Sequence, residues 1–297
     1  MEKNRLKAAV FSMRLRTLPL SLSGVVLGLM LAARHYPVKV WLIVWLLLTT
    51  VCLQILSNLS NELGDYLSGT DGEQREGPLY SLAQGSMGVR DFKLLIALFV
   101  LLCCVFGAAM VWTSFGTFFA WKPLVLLILG LFAIWAAMHY TLGENPYGYR
   151  GLGDIFVFIF FGLTSVLGAY FVLAHTIDSW LLLLPAVTIG CFSVGVLNVN
   201  NIRDMESDAA NRVTIPLKLG AFNAKIYQTV LVVLGWLCMP LFTWVTYTSP
   251  VNFLYCLTLP LYSIHLRMVW TRIGSSLDPA LPLLVLSTFA FALLAGI

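Results

Sequence analysis

Residues 40–71 read VWLIVWLLLTTVCLQILSNLSNELGDYLSGTD. The first part, Val40–Ser57, holds no charge and approaches the ~20 apolar residues that a helix needs to cross a ~30 Å hydrocarbon core. No turn signal separates it from the polar residues that follow. Asn58, Asn61 and Asp65 are spaced by three and four, so a continuing helix carries them on one face. Gly69 then permits a turn, after which Asp71 can fold back toward the same point. The unit is an apolar span ending in a row of amides and carboxylates.

The rest of the chain repeats the apolar part of that pattern. Of 297 residues, 59% are hydrophobic and 11% charged, with a mean hydropathy of +0.87. Soluble domains are roughly 45–50% apolar and about 25% charged. Eighteen basic and 14 acidic residues are too few to solvate a globule of this length, and the aromatic content excludes disorder. Six cysteines do not make a secreted disulfide scaffold. The apolar runs are too long and unbroken for the ~10-residue alternating strands of a membrane barrel. The expected fold is an all-α, polytopic membrane protein, a single domain over residues 1–297, with nine transmembrane helices around a central cavity. The runs are Leu18–Ala33, Val40–Ser57, Leu94–Trp112, Pro123–Tyr140, Ile155–Ala174, Trp180–Leu197, Tyr227–Tyr247, Val251–Ile264 and Pro279–Ile297. Ahead of them, Lys3–Arg16 reads either as an interfacial helix with Leu6, Val10 and Met13 toward lipid, or as a plain basic tail.

Charge gives the expected orientation. With the N-terminus in the cytoplasm and alternating spans, 15 of the 18 Lys and Arg fall inside, as the positive-inside rule requires. The C-terminus then lies outside, and the expected location is the cytoplasmic (inner) membrane. The rule says nothing about acids, yet 13 of the 14 fall on the same side.

A second polar cluster follows the sixth run: Asn198, Asn200, Asn201, Arg203, Asp204, Glu206 and Asp208. Asn198, Asn201, Asp204 and Asp208 share the helical spacing, and Asn200 precedes Asp204 as Asn61 precedes Asp65. Crowded carboxylates resist ionisation unless a cation joins them. Mg²⁺ suits them, because it takes oxygen ligands, keeps waters and pairs one or two carboxylates with phosphate oxygens. Its charge would help a diphosphate depart. Arg75, Arg150 in a Gly-rich loop, Arg212 and Lys218 are candidate phosphate contacts. Tyr66, Tyr140, Tyr147 and Tyr149 are candidates for stabilising a cation through their ring faces. The scattered cysteines and histidines show neither CxxC nor zinc-helix spacing. Nothing in the chain suggests nucleic-acid binding.

Four stretches carry a family resemblance: Arg14-Leu-Arg16-Thr17-Leu-Pro19; Asn61-Glu-Leu-Gly-Asp65 with Gly69-Thr-Asp71; Tyr149-Arg150-Gly-Leu-Gly-Asp154; and Asn200-Asn201-Ile-Arg203-Asp204-Met-Glu206-Ser-Asp208. In their order and span placement they resemble the membrane-embedded aromatic prenyltransferase superfamily, and within it the 1,4-dihydroxy-2-naphthoate polyprenyltransferases of menaquinone biosynthesis. The resemblance implies Mg²⁺ held by Asn61, Asp65 and Asp71 and by Asn201, Asp204 and Asp208. It implies catalysis centred on Asp65, Asp204, Asn61 and Asp208, with Arg75, Arg150, Arg212, Tyr149 and Arg16 binding substrate. Arg16 is assigned to the acceptor's carboxylate. The implied reaction transfers a polyprenyl group from its diphosphate to the naphthoate with loss of CO₂, giving demethylmenaquinone. The alternatives are another acceptor, such as 4-hydroxybenzoate, and a cation-coupled transporter; placement of both clusters at one membrane face argues against transport. Two departures from the family pattern stand out: Glu62 where an Asp is usual, and Asn211-Arg212-Val-Thr214 where Gly-Lys-x-Thr is common.

Overall fold

The computed structural model describes residues 2–69, 80–209 and 212–297. Asp71 and Arg75 lie outside the described residues. Helix α1 (Glu2–Ser12) leads through one short turn into α2 (Leu18–Ala33). Leu6 and Val10 of α1 are exposed, as an interfacial helix requires. Met13 instead packs against the apolar seam between the next two helices.

Those two are α3 (Val40–Leu67) and α4 (Val89–Phe115), followed by α5 (Trp121–His139). Helix α3 runs ten residues past the expected span, so Asn61 and Asp65 belong to the spanning helix itself. The fifth span is not uniform. Helix α6 (Gly153–Val157) widens into π-helical turns over Phe158–Thr164 before resuming as α7 (Ser165–Ala174). At that bulge Gly162 meets Gly190 so closely that a Cβ on Gly162 would fall 2.6 Å from the Gly190 Cα. In lipid, where association rests on packing, small residues let backbones approach this way.

Helix α8 (Leu183–Arg203) ends at the second polar cluster, which continues as one turn, α9 (Met205–Asp208), and then α10 (Ile215–Leu219) and α11 (Ala221–Val245). The eighth expected span is a composite. Residues Pro250–Thr258 wind as 3₁₀-helix and pass directly into α12 (Leu259–Thr271). Pro260 explains the change of pitch, since in an α-helix its ring would strike the carbonyl four residues earlier. Helix α13 (Ala280–Gly296) closes the bundle against α2 and α8.

Eight helices among the described residues are long and apolar enough to span a bilayer. With the composite one, the described residues form nine segments that cross the bundle. This is a multi-pass membrane protein. The main core lies among α2, α7, α8, α11, α12 and α13, and a second between α3 and α4. No strand occurs among the described residues; one parallel bridge joins Arg150 to Val213.

Candidate active site

Both polar clusters open onto one cavity of about 550 Å³ at one end of the bundle. Asn61 and Asp65 reach it from α3. Asn200, Asn201, Asp204 and Asp208 reach it from the end of α8 and from α9. The i, i+4 spacing works on α3 because the helix is unbroken. On α8 the helix stops at Arg203, and Asp204 already leaves helical geometry with φ −93° and ψ 12°. Leu197, Asn200, Asn201 and Asp204 nevertheless make the cavity-facing row, and Asn198, about 100° round α8 from Leu197, does not join it. It is fully buried and donates to the Ala224 carbonyl (3.1 Å) and to Gln228 Oε1 (2.9 Å), holding α8 to α11. Asn58 likewise faces away from the carboxylates, donating to the Met13 carbonyl at 2.9 Å and to Thr17 Oγ1 at 3.1 Å.

The acids are organised by two arginines. Arg212 donates from Nη2 to Asp65 Oδ1 (3.0 Å) and brings Nε within 3.2 Å of Asp208 Oδ1. One guanidinium thus joins the two motifs. Burial disfavours its charge, but Asp65 and Asp208 outweigh that and raise its pKa above the usual arginine value. Tyr149 donates its hydroxyl to the same Asp65 oxygen at 2.7 Å, and its ring lies 4.9 Å beneath the Arg212 guanidinium. The Tyr149 carbonyl accepts from Val213 N–H at 2.9 Å, which joins the Gly-rich loop to the segment after the second motif. Arg203 forms a bidentate pair with Asp204 (2.7 and 2.6 Å) and also reaches Asn200 Oδ1 (3.0 Å) and Asp278 Oδ1 (2.8 Å).

Arg14 and Arg16 stand on the cavity wall contributed by the turn before α2. The Arg14 guanidinium lies 3.8 Å over the Tyr80 ring, with Nε and Nη2 buried and unpartnered. Arg16 Nη2 reaches the Tyr80 hydroxyl at 3.5 Å, the outer limit of a hydrogen bond. Neither forms an ion pair with a described acid. Arg150 is exposed and outside the cavity wall; its loop contributes the Tyr149 hydroxyl instead. Glu62 is fully buried and turned from the cavity, with Oε1 accepting the Leu82 backbone N–H at 3.1 Å.

Beneath the polar cavity lies an apolar chamber of about 340 Å³. Asn61, Tyr140 and Leu197 border both. Its walls include Leu46, Met110, Leu126, Phe160 and Val172. From Asn61 down α3 to Leu46 is a rise of roughly 22 Å at about 1.5 Å per residue.

The donor set suits a hard divalent cation. Among the described residues no three acids, histidines or cysteines converge into a ready-made metal cage. Mg²⁺ takes one or two carboxylates and completes its shell with waters and phosphate oxygens. That Asp65 and Asp208, from opposite walls, both lie within about 3 Å of one guanidinium shows that a single cationic group can serve both motifs. Asp278, Arg203, Arg14 and Tyr80 also line the wall; of these, Asp278 and Tyr80 belong to neither polar cluster and to none of the four motif stretches. Asp278 is 75 residues from its partner Arg203, so only the fold brings them together.

Comparison with known proteins identifies the family. The model of the UbiA prenyltransferase family matches residues 21–287. The chain is 37% identical over 296 residues to the 1,4-dihydroxy-2-naphthoate octaprenyltransferase of Haemophilus influenzae, covering 95% of this chain and 94% of that one. It is 38% identical over 269 residues to the Escherichia coli enzyme of the same name, covering 90% and 86%. Among solved structures, a UbiA homologue from Aeropyrum pernix superposes with a TM-score of 0.70 at 15% identity, covering 95% of each chain. One from Archaeoglobus fulgidus, bound to DMAPP and Mg²⁺, gives 0.66 at 14% identity, covering 98% of this chain and 99% of that one. With the family model spanning most of its length and relatives above one-third identity over nearly all of it, this chain belongs to the UbiA prenyltransferase family.

Proposed function

We propose that this protein transfers a polyprenyl group from its diphosphate to 1,4-dihydroxy-2-naphthoate, as its named relatives do. The observation that carries the reading is the junction of two chambers. A polar cavity walled by two Asp/Asn clusters opens, past Asn61 and Tyr140, onto an apolar chamber inside the bundle. A charged head on a long isoprenoid tail fits that junction.

Asn61, Asp65, Asn201, Asp204 and Asp208, with Asp71 from outside the described residues, would hold Mg²⁺. When bound, it supplies positive charge against the negative charge that develops on the departing diphosphate. Tyr149 holds the Asp65 carboxylate in place from behind. Arg212 has the donor geometry for phosphate oxygens. The apolar chamber takes the tail and keeps water from the allylic carbon once its C–O bond breaks and the electron pair leaves with diphosphate. Arg16, with Arg14 beside it, holds the acceptor carboxylate; neither forms an ion pair with a described acid. The carboxyl-bearing ring carbon attacks the allylic carbon, and CO₂ departs, leaving its bonding pair to restore the aromatic ring. The site end of the bundle faces the cytoplasm, as its excess of Lys and Arg requires.

Turnover of labelled polyprenyl diphosphate by purified protein tests this. With naphthoate acceptor and Mg²⁺, prenylated product forms; with EDTA it does not. Asp65→Asn and Asp204→Asn lower the rate by at least about a hundredfold, the scale of removing a group that stabilises developing charge, while both variants still insert. Unchanged turnover by both variants, or prenylation of 4-hydroxybenzoate alone, overturns the assignment.

A further inference from the structure

Arg203 is buried, with only 4% of its side chain exposed, and its fork is shared between two carboxylates. Nε and Nη2 bind both oxygens of Asp204, while Nη1 binds Asp278 Oδ1 at 2.8 Å. Asp278 sits between a 3₁₀ turn, Gly274–Leu277, and the first turn of α13. Its side chain is half exposed and lines the cavity. A bidentate arginine alone would cancel the Asp204 charge and leave it a poor ligand for a cation. With Asp278 the three groups carry one net negative charge. The second triad has the same stoichiometry, with Asp65 and Asp208 on Arg212.

We propose that Asp278 is a positioning residue for the second motif. Acting through Arg203, it fixes the direction of the Asp204 carboxylate and leaves that carboxylate enough negative charge to attract a divalent cation. Arg203 takes one acceptor site on each Asp204 oxygen and Asn200 Nδ2 approaches Oδ2 at 3.4 Å; of the roughly four sites a carboxylate offers, the one left open for a cation is on Oδ1. The inference rests on the metal–diphosphate reading above.

The experiment is Mn²⁺ binding, followed by electron paramagnetic resonance on purified full-length protein with inorganic diphosphate and no acceptor, so that no turnover is needed. Asp278→Asn keeps an oxygen acceptor for Arg203 and removes the charge. It is expected to weaken Mn²⁺ binding about tenfold, the scale of losing one nearby charge, with an unfolding temperature close to that of the unaltered protein. Asp278→Glu is expected to restore binding to within about threefold, and Glu144→Gln, an exposed acid outside the cavity, to change nothing. In turnover, Asp278→Asn raises the Mg²⁺ concentration for half-maximal rate while kcat at saturating Mg²⁺ changes little. If Asp278→Asn binds Mn²⁺ normally while Asp65→Asn does not, the positioning role is overturned and the metal reading stands. If the unaltered protein shows no saturable Mn²⁺ binding, the metal reading fails and takes this inference with it. Should Asp278→Asn unfold, Asp278→Glu decides: near-normal binding supports the role, and a tenfold loss in a folded protein overturns it.

Discussion

The side chain of Glu62 lies one position after Asn61, about 100° around α3, and that rotation takes it out of the cavity. Its Oε1 accepts the Leu82 backbone N–H, tying α3 to the turn that presents Tyr80 at the cavity wall. Glu62 is therefore a strut, although its place in the motif suggests a ligand. Glu62→Gln keeps the acceptor oxygen, and we expect prenyl transfer within about threefold of the unaltered enzyme. Glu62→Ala leaves the Leu82 N–H buried without a partner, which costs about 1–3 kcal/mol and will appear as a lower unfolding temperature. A hundredfold loss of rate in a stably folded Glu62→Gln protein would put Glu62 back among the ligands. Asp65 differs by three residues and nearly a full turn, which is enough to bring it beneath Tyr149 and Arg212.

Between α2 and α7 the backbones are in contact. A Cβ at Gly28 would overlap the Val166 carbonyl oxygen, and neither backbone can yield without moving its helix. Two residues further along α7, on the apolar chamber, Gly168 has nothing within 4 Å of the position its Cβ would take. The same kind of substitution should thus have opposite consequences. Gly28→Leu is expected to abolish stable folding, read as loss of a monodisperse species in detergent. Gly168→Leu is expected to fold normally and, because it fills chamber volume, to lower turnover of long polyprenyl diphosphates more than short ones. Equal turnover across chain lengths would remove the chamber from the tail path. The π-helical turns at Phe158–Thr164 belong to the same wall: Phe160, Phe161 and Thr164 line the chamber while Gly162 is held against Gly190.

Across the whole molecule the two ends differ in kind. One carries the cavity, its arginines and its acids. The other is tied by a few polar contacts: Asp178 accepts from Tyr36 (2.8 and 2.7 Å), Lys122 donates to the His175 carbonyl (2.8 Å), and Arg34 caps the carbonyls of Ala295 and Gly296 (each 3.2 Å) at the end of α13. The C-terminus thus lies at the end opposite the site, as an odd number of crossings requires. Paired reporter fusions check the orientation. Alkaline phosphatase after Ile297 should be active outside the membrane, and the same reporter inserted after Glu144 should be inactive. The reverse pattern would turn the molecule over.

The sequence by itself determined the solvent, the crossing count and the position of the two polar clusters. Long apolar runs need no neighbour to declare themselves, because lipid demands that each helix satisfy its own backbone. Asn61 and Asp65 were legible as a pair for a similarly local reason: an unbroken helix repeats its face every three to four residues. That logic was coarser on α8. Asn198 shares the three-residue spacing with Asn201 yet serves α11, because it lies about 100° round the helix from Leu197, which lines the cavity. Only the tertiary structure decided which charges meet. Arg212 reaches back to Asp65 across 147 positions, Arg203 reaches forward to Asp278 across 75, and Arg150, beside a motif tyrosine, reaches neither acid. Ion pairs of that range are set by how nine crossings pack, and packing in lipid depends on small-residue contacts such as Gly28 with Val166 that no local pattern specifies.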